Sequence, residues 1–412
     1  MSGENQSVIE KVKVVTNGSI VTPKGFQTAG LHSGVKRSRN DLGAIYSEQP
    51  AHAAAVYTLN QIQAAPIKLT KESINKEATI QTVIVNSGNA NACTGNRGDQ
   101  DAKKMQQVAA KKFSVLEHHV AVASTGIIGL PMDMDKITSH IEKLDIGNSK
   151  DDANHFGEAI STTDTFEKSA CYEATISGKK VTMGAAAKGS GMIEPNMGTM
   201  LGFITTDAAV APSSLQSALN DVVDQTFNCI TVDGDTSTND MVLVLANDMA
   251  GNELLTEEHE DWDVFVNLLK ETCEDLAKQI AQDGEGATKL IEVQVNGANT
   301  DEDARKVAKS IVGSSLVKTA VFGTDANWGR IIAAIGYSGI DINPETIDTA
   351  IGPIQLLKNS EPTEFKEEDA TAYLEEDIIQ IDVDLNLGGG TGKAWGCDLT
   401  YDYVRINASY RS

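Results

Sequence analysis

The residues most able to do chemistry lie in one glycine-rich window, Lys188 to Asp207, which reads KGSGMIEPNMGTMLGFITTD and presents a threonine hydroxyl at Thr199. A threonine hydroxyl is a good nucleophile only when a base accepts its proton, and this window contains no histidine. Cleavage just before Thr199 would create an α-amino group, with an ordinary pKa of about 7.7–8.0, that can serve as the base. Gly198 tolerates the strained backbone that cleavage requires. From these residues alone, a turn followed by a core strand remains the simpler alternative.

Other motifs of chemical interest do not complete their patterns. Gly388–Ala394 (GGGTGKA) lacks the spacing and the terminal Ser or Thr of a phosphate loop, so a flexible turn between two strands is predicted. Asp233–Asp240 (DGDTSTND) lacks the glycine at the sixth position and the glutamate at the twelfth position of a calcium loop. His118 and His119 are expected to point to opposite sides, and the remaining histidines have no ligand spacing. No metal site is therefore predicted, and no G-x-S-x-G motif indicates a serine hydrolase.

The composition limits the class of protein. The formal net charge of -24 argues against nucleic-acid binding, which needs clustered Lys and Arg. With 41% hydrophobic and 5% aromatic residues, we expect a core of aliphatic side chains in sheets covered by helices. The five cysteines form no C-x-x-C pair and are predicted to be buried or idle thiols. Neither a signal peptide nor an apolar run of membrane-spanning length is found, so a cytoplasmic protein is expected.

Hydrophobic patterning predicts alternating strands and helices and no clear linker. Strands are predicted at Gln81–Asn86, Val120–Ser124, Met200–Val210 and Ile379–Leu387, and helices at Asp99–Phe113 and Glu257–Gln282. This mixture favours an α/β or α+β fold with layered sheets and helices. One compact unit is favoured over two separate domains.

Eight long motifs, in this order, resemble the ornithine acetyltransferase family over nearly the whole chain. They are Gly25–Lys68, Asn86–Gly95 (NSGNANACTG), Ser124–Pro131 (STGIIGLP), Thr162–Phe166 (TTDTF), Thr231–Asp240 (TVDGDTSTND), Asp283–Lys289 (DGEGATK), Gly323–Arg330 (GTDANWGR) and Cys397–Ser412, in addition to the Thr199 window. The resemblance implies a sandwich of β-sheets covered by helices, of the self-processing N-terminal-nucleophile kind.

The resemblance also implies roles for individual residues. Thr199 corresponds to the nucleophile, and cleavage after Gly198 would give chains 1–198 and 199–412 that form one compact catalytic unit. Thr125 and Gly126 correspond to the oxyanion hole. The positions that correspond to the substrate site, besides Thr199, are Thr162, Lys188, Glu285, Asn407 and Ser412. Among these, Lys188 suits a substrate carboxylate and Glu285 suits an ornithine ammonium.

Three residues depart from the family pattern. Gly198 stands where alanine is common, which should preserve cleavage but could change its rate. Glu194 stands close to the scissile bond, where a small residue or histidine is usual. Ser412 stands where threonine is usual, and it keeps the hydroxyl group.

The implied reaction is transfer of acetyl from N²-acetylornithine to glutamate through an acetyl ester, without a metal or an organic cofactor. Two α and two β chains are expected to assemble as a heterotetramer. Some members also use acetyl-CoA, and we expect this bifunctional form, although no residue decides it. Two alternatives remain: a self-processing amidohydrolase or aminopeptidase that uses water as acceptor, and a non-catalytic homologue. The second would be expected to lack Thr199 or the Thr125–Gly126 pair, and both are present.

Overall fold

The structure is a computed structural model that describes residues 11–194 and 200–409. Its strands are β1 (Lys13–Val14), β2 (Phe26–Leu31), β3 (Leu42–Tyr57), β4 (Thr79–Asn86), β5 (Val120–Ser124), β6 (Lys168–Ile176), β7 (Lys179–Lys188), β8 (Leu201–Thr206), β9 (Ile230–Thr231), β10 (Met241–Ala246), β11 (Leu290–Ala298), β12 (Asp348–Ile351), β13 (Ile354–Lys358), β14 (Glu361–Pro362), β15 (Ile378–Asp384) and β16 (Gly390–Cys397). Its α-helices are α1 (Ala65–Glu77), α2 (Gly95–Phe113), α3 (Met134–Ile141), α4 (Lys150–Ile160), α5 (Pro212–Gln225), α6 (Trp262–Gln282), α7 (Asp301–Gly313), α8 (Ser315–Phe322), α9 (Trp328–Gly336), α10 (Glu367–Leu374) and α11 (Tyr401–Ala408).

The chain divides into two compact units. Unit 1 consists of Met1–Gly189, Asn196–Asp224 and Thr236–Leu276, and unit 2 consists of Ser190–Pro195, Gln225–Asp235 and Ala277–Ser412. The predicted cleavage products, 1–198 and 199–412, do not coincide with these units, and the cleavage remains a prediction. No helix in the described ranges is both long and apolar enough to span a bilayer.

Unit 1 is built on a nine-stranded sheet in the order β1-β6-β7-β8-β10-β3-β4-β5, with β2 paired to β3. Along β4, Val83 and Val85 enter one apolar cluster and Ile84 enters another. Side chains alternate between the faces of a strand, so both faces of this sheet are covered. One cluster includes Phe156 of α4, and the other includes Met105 of α2.

The centre of this sheet contains both ends of the Thr199 window, Lys188 in β7 and Leu201–Thr206 in β8. Strands β7 and β8 are antiparallel, and Lys188 pairs with Leu201. Strand β10 runs parallel to β8, with Met241 beside Leu201. The Met241 N–H also donates to the Met200 carbonyl at 3.1 Å. Met200 and Leu201, the first described residues after Thr199, are therefore held by a buried sheet.

Unit 2 contains a seven-stranded sheet in the order β14-β13-β12-β15-β11-β16-β9, with α7 packed against β11 and β16. In β15, Ile379, Ile381 and Val383 are buried while Gln380 is exposed, which confirms the predicted half-buried strand. The predicted α/β class is confirmed by the two mixed sheets and their helices.

The sequence-based boundaries are mostly confirmed, with four corrections. The strand predicted at Ile379–Leu387 ends at Asp384. The predicted helix at Glu257–Gln282 begins only at Trp262, because the preceding residues form turns in which the Trp262 N–H bonds to the His259 carbonyl at 2.9 Å. The strand predicted at Met200–Val210 ends at Thr206. The flexible turn predicted at Gly388–Ala394 is wrong from Gly390 onward.

Glycine stands at these strand positions because a helix passes close to them. A Cβ atom on Gly390 would lie 2.4 Å from the Thr300 carbonyl carbon, and one on Gly392 would lie 2.5 Å from the Arg305 nitrogen. Glycine here allows the close approach of α7 to β16, and its role is packing rather than flexibility.

Candidate active site

Thr125 and Gly126 follow the buried strand β5 and form a sharp turn. The Thr125 N–H donates to the Asn86 carbonyl at 3.0 Å, which continues the pairing of β4 with β5. Gly126 has φ +126°, a backbone angle that favours glycine. A Cβ atom added at this position would lie only 2.4 Å from the Gly88 carbonyl carbon, which is too close for two non-bonded carbon atoms. Only glycine fits this turn, since both the backbone angle and the close approach exclude a side chain.

The two hydrogen-bond donors of this turn have no acceptor within the described ranges. The Thr125 hydroxyl and the Gly126 N–H make no hydrogen bond there, although Thr125 is only 9% exposed. The Thr125 hydroxyl oxygen keeps some exposure and Gly126 is half-buried, so both donors remain open to a ligand acceptor. A side-chain hydroxyl beside a backbone N–H is the donor set that stabilises an oxyanion in acyl transfer.

A network of amides, which was not predicted from the sequence, supports this turn. Asn239 donates through Nδ2 to the carbonyls of Ala90 (2.6 Å) and Ser124 (2.8 Å). Asn86 accepts from the Ser124 hydroxyl at 2.6 Å and donates to the Asn89 carbonyl at 2.9 Å. The Thr125 turn is thereby tied to Asn239, which lies two residues before the start of β10. The available signal was the number of asparagines in the two motifs that contain these residues.

Thr162 and Lys188 are brought near each other by the buried carboxylate of Asp164. Its Oδ2 accepts from the Thr162 N–H at 2.8 Å, and its Oδ1 accepts from the Gly189 N–H and the Lys168 Nζ, both at 2.7 Å. Asp164 therefore joins the turn that carries Thr162 to the end of β7, where Lys188 lies. Asp164 lies in the TTDTF motif, but no role was predicted for it.

The electrostatics of Asp164 reflect these partners. Burial by itself would raise the pKa of this carboxyl group, but the charges of Lys188 and Lys168 lower it, as do hydrogen bonds from Lys168 and Gly189. The net result is a pKa below the ordinary value, so Asp164 is a stable carboxylate.

Lys188 differs from Lys168 in what its ammonium group contacts. Lys188 is 8% exposed, and its Nζ has no hydrogen bond or ion pair among the described residues. Lys168 is fully buried against Asp164. A buried ammonium without a direct partner is costly, so the Lys188 Nζ is suited to bind an anionic ligand group.

In unit 2, Glu285 and Asn407 are in direct contact. The Asn407 Nδ2 donates to the Glu285 Oε2 at 2.7 Å and to the Tyr403 carbonyl at 3.1 Å. Glu285 is 8% exposed and pairs with no cation in the part of the chain that the structure describes. The carboxylate lies against Gly191, where a Cβ atom would come within 2.3 Å of it. A buried carboxylate with one neutral partner is suited to a ligand ammonium.

The segment before the predicted cleavage point is firmly held in unit 2. Asp233 accepts the N–H groups of Met192 (2.6 Å) and Ile193 (2.8 Å), and the Val232 N–H donates to the Ile193 carbonyl at 2.7 Å. Met192 has φ +58°, in the left-handed region that disfavours a side chain of this kind. The segment is therefore fixed and locally strained.

Glu194, the unusual residue near the scissile bond, is paired with Lys309 at 3.1 Å. Its charge is therefore partly neutralised within unit 2. The predicted nucleophile Thr199, the predicted cleavage residue Gly198 and the predicted substrate contact Ser412 lie outside the described residues.

The described ranges contain one cluster of metal-ligand types, formed by Glu77, His118 and His119. The expectation that the two histidines point apart is wrong, because both Nε2 atoms reach the Glu77 Oε2, at 3.1 Å and 3.0 Å. The short 3-10 helix that carries them brings both rings to the end of α1. Hydrogen bonds from His119 and His118 lower the pKa of Glu77. The Lys76 ammonium, 3.2 Å from the His118 Nδ1, disfavours a cation here.

Within unit 1, a turn with two uncommitted donors and a buried ammonium are groups typical of an acyl-transfer enzyme. Comparison with known proteins points to the same class. A profile of the ArgJ family matches residues 27–412. The arginine biosynthesis bifunctional protein ArgJ of Geobacillus kaustophilus (strain HTA426) is 60% identical over 402 residues, which are 98% of each chain. The protein of that name from Halalkalibacterium halodurans is 62% identical over 96% of each chain.

A solved structure is also similar. The crystal structure of arginine biosynthesis bifunctional protein argJ from Bacillus halodurans is 67% identical, has a TM-score of 0.51, and covers 52% of this chain and 100% of its own. The chain therefore belongs to the ArgJ family. This membership confirms the predicted resemblance and the predicted enzyme class, a glutamate N-acetyltransferase of arginine biosynthesis.

Proposed function

We propose that the enzyme moves acetyl from N²-acetylornithine to glutamate through an acetyl ester on Thr199, after self-cleavage between Gly198 and Thr199. The observation that carries the proposal is the pair of uncommitted donors at Thr125 and Gly126. They are held by a buried amide network, as preorganised oxyanion donors must be.

The reaction proceeds in two steps, acetylation of Thr199 and transfer of the acetyl group to glutamate. The Thr199 oxygen bonds to the acetyl carbonyl carbon while the α-amino group accepts the hydroxyl proton, and the oxyanion faces Thr125 and Gly126. The bond from the acetyl carbon to ornithine nitrogen then breaks, and that nitrogen takes the proton from the α-amino group. In the second step the neutral amine of glutamate attacks the ester, and the threonine oxygen recovers a proton as N-acetylglutamate leaves.

Substrate recognition is assigned by charge. Lys188 pairs with the substrate α-carboxylate, and Glu285 pairs with the side-chain ammonium of ornithine. Asn407 orients the Glu285 carboxylate, as their 2.7 Å hydrogen bond supports. Thr162 and Ser412 supply hydroxyl groups, in line with the family resemblance.

Two observations support cleavage. The Bacillus halodurans crystal chain covers 52% of this chain with its full length, and residues 199–412 number 214, which is also 52% of 412. Strain at Met192 in a fixed segment also favours a reactive backbone nearby. A cytoplasmic heterotetramer of two α and two β chains, and acetyl-CoA as a second donor, complete the proposal from the resemblance.

The first test is intact mass under denaturing conditions of the wild type beside Thr199→Ala. Two wild-type fragments that meet between Gly198 and Thr199, and a single uncut chain for the variant, are expected. A wild type that remains uncut would contradict the proposed nucleophile.

The second test addresses the oxyanion donors on the cleaved protein. Thr125→Val should lower kcat for acetyl transfer from N-acetylornithine to glutamate by about 10²–10³-fold, because one donor is lost. Thr125→Ser keeps the hydroxyl and should retain most of the activity. Retained activity in Thr125→Val, or equal losses in both variants, would contradict the role given to the hydroxyl as an oxyanion donor.

A further inference from the structure

A cavity of about 560 Å³ opens on unit 1 between the loop 36–39 and the turn 162–165. Its walls carry three cationic side chains, from Lys36, Arg37 and Arg39, and four hydroxyl groups, from Ser38, Thr162, Thr163 and Thr165. The whole chain has a formal net charge of -24, so this grouping of cations runs against the overall charge. A cavity lined by one sign of charge concentrates ligands of the opposite sign.

The cationic loop is ordered by a buried carboxylate. Asp41 accepts the N–H groups of Ser33 (2.6 Å) and Lys36 (2.9 Å), and the Arg39 carbonyl contacts the His32 ring at 2.7 Å. Arg39 itself has φ +70°. The backbone of the loop is therefore held in place before a ligand binds.

The three cations of the loop have different roles. The Lys36 Nζ donates to the carbonyls of Ser161 (3.0 Å) and Glu158 (3.4 Å), at the C-terminal end of α4, where a positive charge stabilises a helix. Arg37 and Arg39 are exposed, and their guanidinium groups have no ion pair or hydrogen bond within the described ranges. The two arginines are the groups available to a ligand.

The single acidic residue of the cavity does not oppose an anion. Asp164 is already occupied by Lys168 at 2.7 Å and by two backbone N–H groups, and the Lys188 charge acts on it as well. The cavity therefore remains positive overall. Two guanidinium forks with nearby threonine hydroxyls match the several oxygens of phosphate groups better than one carboxylate.

We propose that this cavity binds the phosphate groups of an organic phosphate ligand, and, resting on the proposed function, that this ligand is the coenzyme A thioester that donates acetyl. A volume of about 560 Å³ suits a nucleotide-sized group. The long pantetheine arm separates the phosphates of coenzyme A from its thioester carbonyl. The Thr199 oxygen bonds to the acetyl carbon, the carbon–sulfur bond breaks, and the hydroxyl proton reaches the thiolate through the α-amino group, which gives free coenzyme A.

The test is binding of coenzyme A to the full-length protein by titration calorimetry, for the wild type and the double variant Arg37→Ala/Arg39→Ala. The double variant should bind coenzyme A at least ~10-fold more weakly, because two charge-assisted phosphate contacts are lost. Weakened binding of 3′-dephospho-coenzyme A as well would place the arginines on the pyrophosphate. If only coenzyme A itself is weakened, they contact the 3′-phosphate.

The matched control is Lys104→Ala/Lys111→Ala, which removes two exposed charges from α2 and should change binding less than ~2-fold. The KM for N-acetylornithine should stay within ~2-fold in both double variants, because none of the four substituted side chains is assigned a contact with N-acetylornithine. Unchanged coenzyme A binding in the arginine variant would overturn the proposal, as would a rise in the KM for glutamate alone, which would indicate a dicarboxylate site. Failure of the proposed function is separate, since acetyl transfer would then be absent while arginine-dependent binding persisted.

Discussion

Two buried carboxylates, Asp164 in unit 1 and Glu285 in unit 2, are similar in exposure but opposite in their partners. Asp164 is 4% exposed and accepts three hydrogen bonds, one of them from the buried ammonium of Lys168. Glu285 is 8% exposed and accepts from the neutral amide of Asn407. Burial alone therefore does not tell which carboxylate binds a ligand.

The difference lies in how much of each charge is already compensated. A buried charge is tolerated when it is paired and hydrogen-bonded, as Asp164 is, and such a group holds structure together. Glu285 has no cationic partner among the described residues, so a ligand ammonium would complete its environment. We infer that Asp164 positions Thr162 and the end of β7, whereas Glu285 contacts substrate.

The largest expected effect is on stability, from Asp164→Asn. Removing this charge takes away the carboxylate that lies 2.7 Å from the buried Lys168 ammonium, and breaking a buried ion pair typically costs about 3–5 kcal/mol in the free energy of unfolding. Urea unfolding measures the loss. As a control, Glu173→Gln breaks the solvent-exposed pair with Lys180 and should cost less than about 1 kcal/mol. A similar small loss for both variants would remove the structural role given to Asp164.

The next effect is on substrate affinity, from Glu285→Gln. Loss of a charged hydrogen bond to the ornithine ammonium should cost about 1.5–3 kcal/mol, or about 10–150-fold in the KM for N-acetylornithine. The free energy of unfolding should change little, since no protein cation is left unpaired. Glu361→Gln, at an exposed position in β14, is the matched control in steady-state assays. A strongly destabilised Glu285→Gln variant with an unchanged KM would mean that Glu285 has a structural role and does not bind the substrate.

A third effect is the dependence of stability on pH. The pKa of Asp164 is lower in the folded protein than its ordinary value of about 3.9, so the folded state binds this proton more weakly than the unfolded state. Its stabilisation is fully present above that ordinary value and is lost as the pH falls through the folded pKa. Urea midpoints measured from pH 7 down to about pH 3 should therefore fall more steeply for the wild type than for Asp164→Asn. Parallel curves would contradict the lowered pKa.

The sequence predicted those features that depend on local patterns. Alternating or continuous apolar residues located β4, β5 and β15, and the 3–4 spacing located α6, because burial of one face repeats along the chain. The start of α6 and the strand at Gly390 were missed, since turn hydrogen bonds and the approach of α7 decide them. The reason for a glycine is not visible without the element packed on it.

The candidate site was predicted only as far as the family motifs reach. Thr125, Gly126, Lys188 and Glu285 were identified through the resemblance, and the structure gives the first two an uncommitted donor each. The residues that position them were missed because their partners are distant in sequence. Asn239, for example, bonds to the carbonyl of Ala90, 149 residues earlier.

The smallest expected effect separates direct contact from orientation at Glu285. Asn407→Ala removes the 2.7 Å hydrogen bond to the Glu285 carboxylate but leaves the carboxylate charge. The loss in binding free energy should be only about 0.5–1.5 kcal/mol, which corresponds to a rise of about 2–13-fold in the KM for N-acetylornithine. Val404→Ala, an exposed change on the same helix α11, should leave the KM unaltered. The double variant Glu285→Gln/Asn407→Ala should then be no worse than Glu285→Gln, because Asn407 acts through the charge already lost. Fully additive losses would mean that Asn407 contacts the substrate itself, and the cation site would then have two independent contacts instead of one oriented carboxylate.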